Sequence, residues 1–266
     1  MEEDATTGQV AESAAQVYER FFVPALFGQW PDAVLRIAGV TSGMRVLDVG
    51  CGTGVVARAA LDHVGAGGAI TGLDLNPGML DVARGQASAV TWVQGAAEDM
   101  PFEDDAFDAV VSHFALMFFS DRDVALSEMS RVARPGAPVA VVTWAGLDMT
   151  PGYAAMVDLL QRLFGSGRAD ALRAPFVLGT PELLHDTVSP HLEDVSVQRR
   201  EGRARFDSID AWVHTDIRGW TLADSITDDE YDLLRTHAER ELAEFVGADG
   251  TVDFPAPALL AVGRAR

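Results

Sequence analysis

The stretch VLDVGCGTG, residues 46–54, joins a short apolar run to three alternating glycines, and no other feature limits the fold of this chain as strongly. Between a strand and a helix, such a turn brings backbone N–H groups at the helix N-terminus close to a ligand. Two common versions bind phosphates. The dinucleotide version has a third glycine where this chain has Val55, and the nucleoside triphosphate version needs a lysine, which the sequence lacks. The loop therefore predicts a ligand held against bare backbone, with neither phosphate signature complete.

Apolar, β-rich runs alternate with helical runs from residue 45 onward. The predicted strands are 45–49, 69–73, 90–93, 107–112 and 137–144. The predicted helices are 55–63, 77–86 and 121–133. This alternation predicts an α/β fold with a parallel sheet and helices on both faces. The nearly continuous apolar strands are typical of strands covered on both sides.

The two ends of the chain follow a different pattern. Residues 9–38 predict two helices interrupted near Pro24 and Pro31. After Trp144 the pattern is mainly helical. The predicted elements there are helices over 151–164, from Thr180 onward and over 208–246, a β-rich segment over 192–206 and a last strand over 258–262.

Charge and residue usage exclude several kinds of protein. The chain has 266 residues, with 40 acidic against 20 basic residues and a formal net charge of −20. Such a surface repels the phosphates of nucleic acid and the anionic face of a membrane, so we expect a small-molecule ligand and neither of those partners. All the basic residues are arginines, which excludes Schiff-base chemistry on a lysine. Cys51 is the only cysteine, so an intramolecular disulfide and a cysteine-held iron–sulfur cluster are excluded.

The sequence also predicts a location. Its first residues, MEED, lack the basic and apolar regions of a signal peptide. No apolar stretch approaches the roughly 20 residues of a membrane span. A single cysteine fits a reducing compartment. We therefore expect a cytoplasmic protein.

An acidic residue stands at the end of the second predicted strand. Asp74 follows Leu73 and lies 20 residues beyond Gly54. At that strand end a carboxylate can accept both hydrogen bonds of a ribose diol, and it repels a 2′-phosphate. Together with the glycine turn, Asp74 predicts an adenosine-like ligand without a 2′-phosphate.

Four ordered motifs resemble those of the class I S-adenosylmethionine-dependent methyltransferases. VLDVGCGTG resembles that family's first motif, and GLDLNPGML, residues 72–80, its second. GAAEDMPFEDDAFDAVVS, residues 95–112, resembles the adenine-contacting segment and fourth strand, and EMSRVARPGAPVAVVTW, residues 128–144, the next helix, turn and strand. The similarity is strongest to small-molecule methyltransferases of quinone and natural-product pathways. It implies a Rossmann-like, doubly wound seven-stranded sheet with a helical cap formed by insertions.

The resemblance implies S-adenosyl-L-methionine as the cofactor and assigns roles to matching positions. The backbone of residues 50–54 would lie against the methionine part, with Asp48 shaping the loop, and Asp74 would bind the ribose hydroxyls. The expected cofactor-binding residues are Tyr18, Asp48, Gly50, Cys51, Gly52, Gly54, Asp74, Leu75, Met79, Ala97, Glu98 and Ser112.

Recognition of the adenine departs from the family pattern at one position. Leu75 and Met79 would flank the ring, and the backbone N–H of Ala97 would meet its edge. The family commonly has an aspartate where this chain has Ala96, and that carboxylate takes the adenine amino group. Glu98 or Asp99 is expected to take the place of that aspartate.

The chemistry implied is an in-line displacement at a sulfonium methyl group, in which positioning of the acceptor supplies about 7–11 kcal/mol. A general base is needed only if the acceptor must lose a proton. The candidate bases are His113, after the fourth strand, and His214, in WVHTDIRGW. Each has an alternative role. His113 could instead orient a loop, and His214 could belong to the polar face of an amphipathic helix. No spacing of histidines and carboxylates indicates a metal site.

Aromatic residues are expected to wall the acceptor site, with ordinary core packing as the alternative for each. They are Tyr18, Trp30, Phe114, Trp144, Trp212 and Trp220.

The expected organisation has four parts. They are N-terminal helices over the cofactor site (1–40), the cofactor-binding core (41–144), a helical cap (145–178 and 208–248) and the remainder of the core sheet (179–207 and 249–266). The expected function is methyl transfer to a small organic acceptor at O, N or C, with a homodimer as one expected assembly. The alternatives are a cofactor-binding cyclase or other non-methylating enzyme on the same fold, a nicotinamide-dependent reductase and a non-catalytic binding module.

Overall fold

The structure is a computed structural model, and it describes residues 12–218, 222 and 225–266. The strands in this part of the chain are β1 (Arg45–Val49), β2 (Ala69–Asp74), β3 (Thr91–Gln94), β4 (Ala109–His113), β5 (Pro138–Trp144), β6 (Glu193–Arg200), β7 (Arg203–Phe206), β8 (Val252–Pro255) and β9 (Ala258–Arg264). The α-helices are α1 (Glu12–Val17), α2 (Pro31–Ile37), α3 (Val55–Val64), α4 (Pro77–Gln86), α5 (Arg122–Val132), α6 (Pro151–Phe164), α7 (Ser166–Arg173), α8 (Pro181–Val188), α9 (Ile209–Arg218) and α10 (Asp228–Glu241).

A seven-stranded sheet in the order β3-β2-β1-β4-β5-β9-β6 forms the centre of the fold. Strands β1 to β5 are parallel, whereas β9 runs antiparallel to both neighbours, β5 and β6. The predicted α/β, Rossmann-like seven-stranded sheet is confirmed. Strands β1–β5 form the predicted parallel part, and β9 enters between β5 and β6, directly after β8, in the opposite direction. A mixed edge of this kind is common in large doubly wound sheets.

The sheet reverses its strand order at β1. From β1 the chain proceeds to β2 on one side and later to β4 on the other, so the carboxyl ends of β1 and β4 leave a crevice between them. Every residue of β4 and β5 is buried, because helices cover both faces of the sheet. The core therefore holds in place the carboxyl ends of β1, β2 and β4, which is where ligands bind in this class of fold.

The N-terminal segment differs from its prediction. Pro24 does not interrupt the helix but lies inside a π-helical segment, Tyr18–Phe27, that continues α1. The wider turn, closed by a hydrogen bond from Gly28 N–H to the Val23 carbonyl, accommodates a ring that would clash in an α-helix. The break falls at 28–30, and Pro31 is the first residue of α2, as predicted.

Strands β7 and β8 correct the expected organisation. They pair with each other in a separate two-stranded sheet and are not part of the core sheet to which 179–207 and 249–266 were assigned. The chain turns away at 201–202, where the Gly202 carbonyl accepts a hydrogen bond from Ala256 N–H. The segments predicted as a cap are helical, with α6 packed on α7 and α10, and α9 packed on α10. Their role as a cap stays a prediction.

Candidate functional site

A cavity of about 180 Å³, open to solvent, lies at the carboxyl ends of β1, β2 and β4. The predicted site residues that line it are Tyr18, Gly50, Gly52, Asp74, Leu75, Met79, Ala97, Glu98 and His113. The structure thus brings together residues from the N-terminal segment, the glycine loop, β2, α4 and β4.

The glycine loop presents its backbone to the cavity at Gly52. This residue has a φ of +54°, and a Cβ placed on it would have only the Tyr18 ring within 4.0 Å. The N–H groups of Gly50 and Cys51 both donate to the Leu73 carbonyl, at 2.8 and 3.0 Å, which ties the loop to the end of β2. A ligand can therefore approach bare backbone at one fixed point.

Asp74 lies at the centre of the cavity wall and is already partly engaged. Its Oδ2 accepts a hydrogen bond from Gly52 N–H at 2.8 Å, and its Oδ1 accepts one from Asn76 N–H at 2.9 Å. A carboxylate offers about four lone-pair positions, so about two remain for a ligand diol. Burial raises the pKa of the Asp74 carboxyl, while these backbone N–H groups oppose the shift.

Asp48 supports the loop from inside the protein and does not line the cavity within the described residues. Its Oδ2 accepts a hydrogen bond from Ala57 N–H, in the first turn of α3, at 3.0 Å. Its Oδ1 is buried with no partner among the described residues. Burial, reinforced by the nearby Asp74, raises the pKa of Asp48 to about 7. The side chain is thereby tied to the start of the helix that follows the loop, and its role in shaping the loop stays a prediction.

The opposite wall is built on α4 and the loop after β3. Asn76 caps α4, because its Oδ1 accepts from Gly78 N–H at 2.8 Å and Met79 N–H at 3.4 Å. This cap holds Met79 and Leu75 at the cavity edge. The Ala97 N–H, on the facing loop, has no acceptor among the described residues.

Glu98 connects two loops of the cavity and is less free than expected. One carboxylate oxygen, Oε1, accepts from Ser120 N–H and Ser120 Oγ–H, both at 2.8 Å, and from Asp121 N–H at 3.2 Å. The carboxylate thereby joins the loop after β3 to the start of α5. Ala96 lines the cavity beside it with no polar side chain.

His113 ends β4 and faces the cavity from an aromatic surround. Its ring lies edge-on to Phe27 and Phe114, at centroid distances of 6.1 and 4.6 Å. Its Nε2 is buried without a hydrogen-bond partner among the described residues. Burial lowers the pKa of His113 to about 3, so the imidazole is neutral near pH 7.

Phe114 is held in an unusual backbone conformation at this site. Its φ is +54°, which few non-glycine residues adopt, and such residues concentrate at functional sites. Its ring stacks on Trp144 with centroids 4.0 Å apart, and Trp30 meets both rings edge-on. Of the predicted aromatic wall, Tyr18 and Phe114 line the cavity, while Trp30 and Trp144 pack against Phe114. Trp212 lies in the core of the helical part, and Trp220 lies outside the described residues.

The N-terminal segment covers the cavity. Tyr18 and Phe27 line it and stack on each other with centroids 5.2 Å apart. Glu19 Oε1 forms an ion pair with Arg58 of α3 at 2.7 Å, which fastens the segment to the helix that follows the glycine loop. No described residue of 145–178 or 208–248 lines the cavity, so the cover seen in the described residues comes from the N-terminal segment, and a cap formed by the other two segments stays a prediction.

Four predicted site residues lie away from the cavity. Gly54 and Cys51 face the other side of the loop, and Ser112 is fully buried within β4. His214 lies beside Phe21, at a centroid distance of 5.9 Å, with its Nδ1 3.5 Å from the Tyr231 hydroxyl. Contact of Gly54, Cys51 and Ser112 with the ligand stays a prediction, as does a catalytic role for His214. The positions of these residues support neither role.

Sequence reasoning missed several residues of the lining. They are Phe27, Asn76, Gly95, Ala115, Phe118, Phe119 and Ser120. One carried a usable signal, because Asn76 before Pro77 is a typical helix start directly after Asp74. The remainder reach the cavity through tertiary packing.

The described residues contain neither a candidate metal site nor a candidate membrane-spanning helix. Within 12–218, 222 and 225–266, no three histidine, cysteine or acidic side chains are grouped to hold a metal ion. None of the helices in that part of the chain has the length and apolar character that a membrane crossing requires.

The central segment matches a known family. Residues 47–141 match the methyltransferase domain family model. Demethylmenaquinone methyltransferase of Staphylococcus aureus (strain MRSA252) is 38% identical over 137 residues, which cover 49% of this chain and 57% of that protein. The match therefore spans less than two thirds of the relative's length.

Solved structures share the fold over most of the chain. YcgJ protein from Bacillus subtilis superposes with a TM-score of 0.58 at 23% identity, covering 89% of this chain and 97% of that one. Phosphoethanolamine N-methyltransferase 2 of Haemonchus contortus, solved in complex with S-adenosyl-L-methionine, gives a TM-score of 0.61 at 19% identity, covering 96% of this chain and 58% of that one. At these identities the likeness concerns the fold alone. The methyltransferase domain family model matches residues 47–141, and the resemblance drawn from the sequence is confirmed for that part of the chain.

Proposed function

We propose that this chain transfers the methyl group of S-adenosylmethionine to a small organic acceptor. The observation that carries the proposal is that one cavity unites a backbone-lined glycine turn, the Asp74 carboxylate and the aromatic surround of His113. The first two suit an adenosine-type cofactor without phosphates, and the third suits a flat or apolar acceptor. The name of the Staphylococcus aureus relative, demethylmenaquinone methyltransferase, supports an acceptor of the quinone or natural-product kind.

The residues present fit this cofactor. Asp74 keeps about two lone-pair positions for the ribose diol after its two backbone hydrogen bonds. Gly52 leaves the space that a Cβ would occupy to the methionine part, and the Ala97 N–H is available to the adenine edge. Leu75 and Met79 then flank the ring. When bound, the cofactor supplies an electrophilic methyl group on a sulfonium.

The chain's own contribution is positioning and exclusion of water. The stacked rings of Tyr18 and Phe27 close one side of the cavity, and Phe114 forms another. Holding an acceptor lone pair behind a methyl carbon is worth about 7–11 kcal/mol when the geometry is correct. His113 suits orientation better than proton removal, because a base with a pKa of about 3 holds a proton poorly near pH 7. Its unpaired Nε2 is free to hydrogen-bond a polar group of the acceptor.

Neither rival reading gains support from an observation. A cyclase or other non-methylating enzyme would use the same cofactor residues, and nothing in the cavity favours it. A nicotinamide-dependent reductase would need a glycine at Val55 for its helix to pack as the dinucleotide fingerprint requires. A cytoplasmic location, the absence of nucleic-acid and membrane partners, and a homodimer stay predictions.

Calorimetric titration with S-adenosylmethionine, S-adenosylhomocysteine and NAD in parallel tests the proposal. We expect micromolar binding of both sulfur nucleosides and none of NAD. S-adenosylhomocysteine should then form when the protein is incubated with S-adenosylmethionine and a panel of quinols, phenols and amines. If neither sulfur nucleoside binds, the proposal is wrong. Binding of NAD alone would indicate the reductase, and consumption of cofactor without S-adenosylhomocysteine would indicate the non-methylating enzyme.

Replacing His113 separates orientation from base catalysis. His113→Phe should lower kcat/KM for the acceptor about tenfold, because it removes one buried hydrogen bond. His113→Asn should retain most of the activity, since an amide can replace that bond without titrating. The measurement is S-adenosylhomocysteine formation between pH 5 and pH 9. With a pKa of about 3, His113 gives a flat profile in this range whether it orients or accepts a proton, so a loss in His113→Asn as large as in His113→Phe would show that His113 acts as a base.

Ala96→Asp should strengthen cofactor binding. The substitution would restore the family's aspartate on the cavity wall. Glu98 is a poorer substitute, because one of its oxygens already accepts three hydrogen bonds. A hydrogen bond from the adenine amino group to a carboxylate should lower the Kd for S-adenosylhomocysteine about tenfold. Ala96→Asn is the matched control, because it adds similar volume without charge. Equal or weaker binding by Ala96→Asp would show that the adenine amino group does not face residue 96.

A further inference from the structure

The glycine loop has a second contact surface, on the side away from the cavity. There the indole of Trp92, on β3, lies against the loop and against β2. In the sheet, Trp92 is paired in register with Gly72. Trp92 is not among the described residues that line the cavity, so the loop lies between this indole and the ligand space.

Two glycines make room for the indole. A Cβ on Gly54 would lie 2.3 Å from Cη2 of Trp92, and a Cβ on Gly72 would lie 2.5 Å from Cζ3. Carbon atoms in contact are separated by about 3.5–4.0 Å, so neither side chain would fit. Gly54 also has a φ of +87°, which favours glycine independently. The absence of side chains at 54 and 72 is therefore required by Trp92 and not by the ligand.

The indole itself is fixed at its far end. Its Nε1–H donates to the Ala87 carbonyl, just after α4, at 3.0 Å. The thiol of Cys51 borders the same space, because a Cβ on Gly72 would also lie 2.9 Å from Sγ. Gly54 thus rests on a ring whose polar end is satisfied, and Cys51, on the other side of Gly52, borders the same space.

We propose that Trp92 is a positioning residue for cofactor binding, acting through the loop and not by touching the ligand. With the indole in place, Gly52 N–H stays within 2.8 Å of Asp74 Oδ2, which directs the remaining lone pairs of that carboxylate at the cavity. Without it, the space over Gly54 and Gly72 empties and the loop can settle into it, away from the ligand. The inference rests on the proposed function, because the cofactor named there is the probe.

Affinity and stability measured together test the proposal. Trp92→Ala should raise the Kd for S-adenosylhomocysteine about tenfold or more, and Trp92→Phe, which keeps a ring over Gly72, should recover most of that loss. Val93→Ala is the matched control: Val93 is the next residue of β3, packs on the core and alternates to the other face. It should lower the Tm while changing the Kd less than about twofold. In turnover, Trp92→Ala should raise KM for S-adenosylmethionine and leave kcat unchanged.

A double-mutant cycle guards against a variant that merely unfolds. Gly72→Ala should weaken binding of S-adenosylhomocysteine in the wild-type background, because its Cβ displaces the indole. In the Trp92→Ala background the same substitution should have a smaller further effect, because the indole is gone and the Cys51 thiol, 2.9 Å from the new Cβ, needs only a small shift. If folded Trp92→Ala binds as the wild type does, if Val93→Ala loses as much affinity as Trp92→Ala, or if the effects of Gly72→Ala and Trp92→Ala simply add, the positioning role is wrong. Failure of the wild type to bind would instead overturn the proposed function.

Discussion

Asp74→Asn is expected to weaken the binding of S-adenosylhomocysteine about a hundredfold, because hydrogen bonds to a charged group are worth about 1.5–3 kcal/mol each. The carboxylate accepts from two backbone N–H groups, Gly52 and Asn76, and keeps the rest of its lone pairs for the ribose diol. An amide offers one accepting oxygen, and its NH₂ group would face either a backbone N–H or the ribose. Asparagine therefore cannot keep both the hydrogen bonds from the two backbone N–H groups and those to the ribose diol.

The same substitution should not destabilise the free protein. Burial raises the pKa of the Asp74 carboxyl, which means that the folded state disfavours its charge. A neutral side chain of equal size removes that cost but loses the hydrogen bond from either Gly52 N–H or Asn76 N–H, so the Tm without ligand should stay close to that of the wild type. Asp81→Asn is the control, since Asp81 is exposed on α4 and pairs with Arg84 at 2.6 Å. Calorimetry and thermal unfolding of both variants check the result, and affinity for Asp74→Asn within twofold of the wild type would contradict it.

Prediction from sequence succeeded where a single residue determines an element's end. Helix α6 begins at Pro151 and ends at Phe164, as predicted, because proline favours the first helical turn and Gly165, at a φ of +87°, stops the helix. Asp74 was found from its spacing after the glycine loop and does line the cavity. These signals are local, so they do not depend on which distant segments meet.

The missed features all depend on distant partners. That Gly54 accommodates Trp92 follows from the register of β2 with β3, which no local pattern encodes. The commitment of Glu98 to Ser120 joins two loops that are far apart in sequence. That Phe27 joins Tyr18 in the cavity wall depends on how the N-terminal segment packs against the sheet. Pairing across such distances is decided by the packed core.

Asp216 is the second place where a substitution should have a large effect, and there the effect is on stability. Its carboxyl group lies 2% exposed in the helical part of the chain. Its Oδ1 accepts a hydrogen bond from the Tyr153 hydroxyl of α6 at 3.1 Å, while Oδ2 has no partner among the described residues. The Trp212 indole N–H, one turn earlier on α9, faces the carboxyl group without a hydrogen bond of regular geometry. Burial raises the pKa of Asp216 to about 7, and its two donor neighbours only moderate the shift.

The sign of the pH dependence follows from that shift. An unfolded aspartate has a pKa of about 3.9. Between that value and about pH 7 the folded state holds a proton that the unfolded state has lost, so this residue's contribution to the free energy of unfolding is full below about pH 4 and is lost as the pH rises to about 7. The loss amounts to roughly 3–4 kcal/mol at most. Asp216→Asn keeps a neutral group that can accept from Tyr153, so it should be more stable than the wild type at pH 8 and nearly equal to it at pH 4.

Urea unfolding at both pH values measures the difference. Asp210→Asn is the matched control on α9, because Asp210 is exposed and forms an ion pair with Arg235. Surface pairs contribute about 0–1 kcal/mol, so this control should lose a little stability and gain none at pH 8. An advantage of Asp216→Asn that is the same at pH 4 and pH 8 would mean that better packing, and not a buried charge, stabilises the variant. A loss of stability at pH 8 would mean that the charged carboxylate is favoured where it lies. Only an increase in the stability of Asp216→Asn over the wild type that grows with pH agrees with the structure. In it, the Asp216 carboxyl group is buried, accepts one hydrogen bond and has no cation beside it when it ionises.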